Sequence, residues 1–401
     1  MPAKRLLTLA LSLGLLPAAA VRADTVWTSP ITSEVTWAKA DSPHTWGGDL
    51  NVNSGGVINV EAGAVVKMPS AGHLRINGWG QILAIGSSED PIRIGGVSEL
   101  APGGTIWLDS SLPSEFRFCH FAYLERARIS SQSPQGNHLF EHSIFRKFST
   151  NPIELVDAPA RILHCLFRDY PTDRAGVSMT CNVFTDDTCP TIWYNTFDRN
   201  GLGAWTPASI NMGDYDFFRF NRVLGGIGIH FSADKWGRYQ RFRVLDCDLG
   251  SASPSLRFSG YGSGYDGVMD GLSIERCTLS TLTNISFGIV NTTNIANNYW
   301  GTTNMETIAT ALFGGGLSTN AALPISTTNM FPQADVDDSD GGNVTRQADA
   351  DLVKQAVVGL ISLTPEQEAV ADVDRNGVVD TRDALLIESY INGLMWKLPV
   401  P

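Results

Sequence analysis

The chain has 401 residues, 43% of them hydrophobic, with 39 Gly and 20 Pro and a formal net charge of −12. That length suits a large β domain with a smaller one beside it. The charge is uneven, because residues 335–401 hold 13 acidic and 5 basic side chains, a net −8. A concentration of carboxylates points to a cation as partner and excludes nucleic acid.

Residues 1–23 open with Lys4 and Arg5, continue through the apolar run Leu6 to Ala20 and end in Val21-Arg22-Ala23, a small-x-small cleavage pattern. This reads as a secretory signal peptide, so the expected location is secreted, extracellular or cell-surface associated. No later segment reaches the roughly 18 apolar residues of a membrane span, so no transmembrane segment is expected. From Trp27 to Ile94, alternating apolar residues such as Leu50/Val52, Val57/Ile58/Val60 and Leu74/Ile76 predict early β coils. Trp27 to Trp37 is expected to cover the first of them, since an open coil presents unpaired strand edges.

Between Phe116 and Trp300 a short pattern recurs. A small residue has an apolar residue three positions before it and another two after. The small column is Cys119, Ser143, Cys165, Asn195, Asn221, Cys247, Cys277 and Asn298. Before it stand Phe116, Phe140, Ile162, Ile192, Phe218, Val244, Ile274 and Ile295; after it stand Phe121, Phe145, Phe167, Phe197, Val223, Leu249, Leu279 and Trp300. The copies lie 24, 22, 30, 26, 26, 30 and 21 residues apart. Such a period means one supersecondary unit stacking on its copies to bury a shared core. Short segments rich in Phe, Ile and Val between Gly, Asn, Asp and Pro make the unit β. The flanking apolar residues are an odd number apart, so a straight strand would send them to opposite faces. The chain must therefore bend at the small residue, whose side chain can bond to its counterpart one coil above. His142 and His164, each one position before the column, are expected to stack in adjacent coils.

This pattern resembles the right-handed parallel β-helix family with its Asn or Cys ladders. Gly55-Gly56-Val57-Ile58-Asn59-Val60-Glu61-Ala62-Gly63-Ala64-Val65-Val66 looks like that family's first coils, and Asn297-Asn298-Tyr299-Trp300-Gly301-Thr302 like a closing motif. The resemblance implies an all-β solenoid over residues 24–325. Because the scaffold hosts lyases, hydrolases, adhesins and inert stalks, chemistry must be argued from residues. Polysaccharide cleavage needs paired carboxylates for hydrolysis or a base for elimination. The candidates are Asp214 with Asp216, Asp246 with Asp248, and Asp266 with Asp270; none forms a family motif. Two readings therefore stand: a polysaccharide lyase or O-glycosyl hydrolase, and a non-catalytic rod that presents a surface.

Four of the six cysteines belong to the ladder and read as buried thiols. Cys181 and Cys189 bracket seven residues within one repeat and are expected to form a disulfide in an oxidising compartment.

Residues 326–334 read as a linker and 335–401 as a second, small all-α domain. Asp372-Val373-Asp374-Arg375-Asn376-Gly377-Val378-Val379-Asp380-Thr381-Arg382-Asp383 puts oxygen side chains at positions 1, 3, 5, 9 and 12 with Gly at 6, the spacing of an EF-hand calcium loop. By that analogy Asp372, Asp374, Asn376 and Asp383 ligate Ca2+ directly, Val378 offers its carbonyl and Asp380 acts through water. A degraded copy upstream places Asp337, Ser339 and Asp349 at ligand positions, with one inserted residue before Asp349. Two calcium loops about 34 residues apart, each followed by a short helix, resemble a type I dockerin. That resemblance implies a cohesin-type module as partner, chosen through Thr381 and Arg382, and association with polysaccharide-degrading systems. The first loop has no matching pair for Thr381 and Arg382, which argues against cohesin binding in two equivalent orientations.

Overall fold

The computed structural model describes residues 24–294 other than 71, 99, 131–135, 181–188, 207–208, 212–217, 234–237, 241, 261–267 and 286–288. It also describes residue 298 and residues 347–391 other than 375–376. Short strands wind into three parallel sheets of nine, ten and thirteen strands. One turn runs through Ile106–Ser110 in the ten-stranded sheet, Glu115–Arg117 in the thirteen-stranded sheet and Cys119–Ala122 in the nine-stranded sheet. The next turn repeats the route through Ala127–Ile129, His138–Glu141 and Ile144–Arg146. This is a parallel β-solenoid, as the repeat required.

Register explains why the repeat tolerates unequal loops. Phe116 pairs with Phe140, Phe140 with Ile162, Ile162 with Ile192 and Ile192 with Phe218. After the corner, Phe121, Phe145, Phe167, Phe197 and Val223 pair in the same way. All of these side chains are fully buried. Along Phe121, Phe145, Phe167 and Phe197 the rings stack at 4.7, 4.8 and 4.7 Å between centroids, near the interstrand spacing of about 4.7–4.9 Å. Each such contact adds about 0.5–1.5 kcal/mol beyond its buried area. Ile295 and Trp300, the last members of the two apolar columns, lie outside the described residues.

The ladder is a hydrogen-bond relay. Every described rung is buried, and each side chain completes the corner of the coil before it. Asn195 accepts the backbone N–H of Cys165 at 2.8 Å and donates to the carbonyl of Ile162 at 2.8 Å. Asn221 does the same for Asn195 and Ile192 at 2.9 and 2.7 Å, and Asn298 for Cys277 and Ile274 at 2.9 and 2.7 Å. Ser143 accepts from Cys119 N–H at 3.1 Å and donates to Phe116. The thiols of Cys165, Cys247 and Cys277 reach the Phe140, Phe218 and Val244 carbonyls. A corner pulls strand groups out of the ladder of sheet hydrogen bonds, and buried ones need other partners. The small column supplies them. Burial pushes the Cys165 thiol up to about 12 and those of Cys119 and Cys247 well above their ordinary value, so they remain protonated donors.

The bend itself falls one residue earlier. Phe118, His142, His164, Tyr194, Phe220, Asp246 and Arg276 all have φ between 50° and 59°, a left-handed conformation that costs a non-glycine residue about 1–2 kcal/mol. Their side chains stand outside the corner and stack. Phe118 on His142, His142 on His164, His164 on Tyr194 and Tyr194 on Phe220 are separated by 4.9, 4.8, 4.8 and 4.5 Å. The expected stacking of His142 on His164 is thus part of a longer aromatic column that offsets the backbone strain.

At the start of the solenoid, the segment expected to cover the first coil is drawn into the sheets. Thr25–Trp27 pairs with His44–Trp46, and Glu34–Trp37 pairs with Val57–Val60. Trp37 and His44 are fully buried and stack at 5.6 Å, with Trp27 and Trp46 packed beside them. Indoles close this end because strands there have no further coil to pair with.

The C-terminal module, described by itself, holds α1 (Gln347–Val357), α2 (Pro365–Ala371) and α3 (Thr381–Ile391). Its small core of Ala350, Val353, Val370, Ala371, Val373, Ala384 and Ile387 is separate from that of the solenoid. Ala350 and Ala384, and Val353 and Ile387, occupy equivalent places in α1 and α3, so the sequence duplication is also a packing duplication.

Candidate metal centre

The calcium-loop sequence sits between α2 and α3. Thr364 starts α2 with a capping box, its hydroxyl accepting from Gln367 N–H at 3.2 Å while the Gln367 side chain accepts from Thr364 N–H at 3.0 Å, and Pro365 follows at the first helical position. The helix ends at Asp372, whose N–H donates to the Glu368 carbonyl. Asp380 precedes α3, accepts from Arg382 N–H at 2.6 Å and donates its own N–H to Asp383 at 2.9 Å. One carboxylate therefore ends up at the close of α2 and another in the first turn of α3.

Asp372, Asp374 and Asp383 each offer an oxygen within 4.8 Å of the others. Gly377 makes the intervening turn at φ +87°, where a side chain would be strained. Its N–H donates to Asp372 at 2.8 Å, and those of Val373 and Asp374 donate to Asp383 at 2.9 and 3.3 Å. Asp383 is completely buried, and burial with the neighbouring Asp374 pushes its carboxyl above the usual range. Arg382 meets Asp374 at 3.3 Å. Three carboxylates converging on one turn, one of them buried, form a donor set that a hard divalent cation fits, since oxygen ligands and charge compensation are what such an ion supplies and requires.

The module repeats itself at the buried acid as well. Asp349 is the third residue of α1 and 1% exposed, as Asp383 is the third of α3 and 0% exposed. Lys354 of α1 pairs with Glu388 of α3, and these too hold equivalent positions. Residues 334–392 match the type I dockerin domain family. The C-terminal module is a type I dockerin domain. No curated relative and no solved structure matches the chain.

Within the dockerin, Thr381 and Arg382 are exposed at the start of α3, and Val378 is 60% exposed in the preceding loop. Asp380 lies in the loop with its carboxylate turned to Arg382 N–H. Asn376, Asp337 and Ser339 lie outside the described residues, as does Cys181 of the expected disulfide.

Among the carboxylate pairs of the solenoid, Asp246 is a left-handed corner residue clamped by Arg219 at 2.8 Å and by Arg276 at 2.7 and 2.9 Å. Asp248 stands past the corner against Arg222 at 3.1 Å, and burial holds its carboxyl above the usual range despite that arginine. The chain bends at Asp246, and each of the two carboxylates is held by its own arginines. Asp214, Asp216 and Asp266 lie outside the described residues; Asp270 pairs with Gln240 and Asn291 within the strand Val268–Glu275. The arginine clamps were not visible in the sequence, because the partners come from coils 27 and 30 residues away.

Proposed function

We propose that this is an exported, dockerin-bearing β-solenoid that is held by a cohesin-type module in a calcium-dependent way and works on polysaccharide through its solenoid. The dockerin domain indicates the cohesin partner and the calcium. The observation that carries the reading is the convergence of Asp372, Asp374 and Asp383 at the foot of α3, next to the exposed Thr381 and Arg382. In it the ion holds the loop that presents those two side chains, and Asp337, Ser339 and Asp349 serve a weaker first site. Secretion rests on residues 1–23 and on the extracellular habit of dockerin proteins.

For the solenoid, binding and presentation are favoured over cleavage, since Asp246 and Asp248 are engaged by arginines instead of standing free as an acid and a base. The test is capture of the full chain on an immobilised type I cohesin with calcium and with chelator, followed by a polysaccharide retention and hydrolysis panel. Capture that needs calcium, with retention but no product release, is expected. Calcium-independent capture, or none by any cohesin tried, would overturn the docking half; release of reducing or unsaturated ends would overturn the preference for binding.

A further inference from the structure

The nine-stranded sheet points Ile92, Ile94, Cys119, Phe121 and Phe145 into the core, so the residues between them face out. Arg93 pairs in register with His120, and alongside them Lys67, Gly95, Ala122, Arg146 and Arg168 follow one another on successive coils. Arg93, Arg146 and Arg168 are exposed and His120 is half-buried.

Elsewhere on the solenoid arginines meet carboxylates, as Arg75 meets Asp49, Arg117 meets Glu141 and Arg126 meets Glu154. At the edges of this strip Lys67 reaches Asp24 at 3.6 Å and Arg168 reaches Asp169 at 3.4 Å. Among the described residues neither Arg93 nor Arg146 has an ion pair. His120 lies close to both, and burial, then Arg146 and Arg93, hold its ring below the usual imidazole range, with no carboxylate acting the other way. Like charges gathered on one sheet face weaken the fold, and in a chain of net charge −12 carboxylates are plentiful. Among the described residues none of them pairs with Arg93 or Arg146, and nothing in the fold requires that.

The floor of the strip is flat for a structural cause. A Cβ on Gly95 would lie 2.1 Å from the Ala122 carbonyl oxygen, so no side chain can stand there, and Ala122 adds only a methyl. The result is an open shelf with Lys67 at one end, Arg146 at the other, and Arg93 and His120 along its side. Guanidinium groups bind planar oxyanions through paired N–H donors. Coils repeat at about 4.7–4.9 Å, so Arg146 and Arg168 stand one coil apart, Lys67 lies three coils from Arg146, and Arg93 borders the open floor between them.

We propose that this shelf binds an acidic polysaccharide, one whose sugars carry carboxylate or sulfate groups. The assignment rests on the reading that the solenoid works on polysaccharide, and it selects the polymer class and the face. The full chain with calcium is titrated with alginate, dextran sulfate, neutral dextran and duplex DNA by calorimetry and affinity electrophoresis. Alginate or dextran sulfate should bind, the preferred one distinguishing carboxylate from sulfate, with dextran inert. Arg93→Ala with Arg146→Ala should weaken that binding at least tenfold, the corresponding lysine pair much less, and Arg161→Ala, exposed on the thirteen-stranded sheet, not at all. An unchanged unfolding midpoint in each variant shows that the loss is one of binding. Acidic-polymer binding indifferent to the double alanine variant would overturn the proposal, as would equal affinity for DNA with equal loss in the variant. Retention of neutral polysaccharides alone removes the shelf but leaves the polysaccharide reading; retention of none removes both.

Discussion

The solenoid and the dockerin face the same difficulty, a tight bend that brings polar groups together out of water, and meet it differently. In the solenoid each corner is completed by a side chain of the following coil, so Asn195 serves Cys165 and Asn221 serves Asn195. In the dockerin loop the groups brought together are Asp372, Asp374 and Asp383, all acceptors when ionised, and backbone N–H groups answer them only in part. A repeat can draw on its neighbour for complementary partners. A single loop must import them as an ion.

The sharpest way to break that contrast is to remove calcium. Chelation should unfold α3 and abolish cohesin capture while the β signal and the solenoid's unfolding transition stay in place, because a module of this size is marginal on its core alone. Asp372→Ala should reproduce the loss, and Asp337→Ala only part of it; circular dichroism and calorimetry of the full chain read both. Equal loss from the two variants, or a solenoid transition that moves with calcium, would erase the distinction.

Next in size is the solenoid's own core. Phe167→Ala removes a ring stacked on both sides and should cost about 3–5 kcal/mol, measured by denaturant unfolding, with calcium affinity unchanged. Acid should act on the same domain. His138 is fully buried; its Nδ1 accepts from Ser114 N–H at 3.0 Å, which puts the ring proton on an Nε2 without a partner among the described residues. Burial lowers its pKa to about 4 from 6.5. The unfolded chain therefore takes up the proton first, and the stability present above about pH 6.5 is lost as pH falls toward 4, by roughly 3 kcal/mol at about 1.4 kcal/mol per unit. His138→Asn should flatten that stretch of the stability–pH curve.

The smallest expected effect is the most diagnostic of the relay. Asn195→Ala leaves the Cys165 N–H and the Ile162 carbonyl without their partner and should cost about 1–3 kcal/mol. Asn195→Ser should recover part of it, because Ser143 fills the same role. Equal stability of the alanine and serine variants would reduce the column to a matter of volume.

How far the sequence discloses each region follows from the same contrast. The ladder and its apolar flanks were legible because the corner imposes a size and polarity rule on every coil, and the convergence of Asp372, Asp374 and Asp383 because their spacing in the loop brings them together. The left-handed corner was not. Local rules expect Gly or Asn at positive φ, yet Phe118, Tyr194 and Phe220 occupy it, held there by stacking on neighbours some two dozen or more residues away. Reading the column before the ladder as a set of aromatics would have been the clue. The clamps on Asp246, and the setting of Arg93 and Arg146 beside His120, depend on register across coils of unequal length, which composition and spacing do not carry. At the first coil Trp27 to Trp37 does close the solenoid, as the end strands of two sheets, a pairing that the sequence did not specify.

Because each rung serves only the rung before it, the solenoid is a measuring rod graduated in whole coils. Excising Ile144 to Cys165 would splice Ser143 to Leu166 with Phe167 taking the place of Phe145, and every corner would still find a partner. Half a coil removed would leave a donor and an acceptor stranded. The protein can therefore change its reach only in steps of one strand spacing, and differences in coil length are taken up by the loops between corners, whose rungs lie 21 to 30 residues apart.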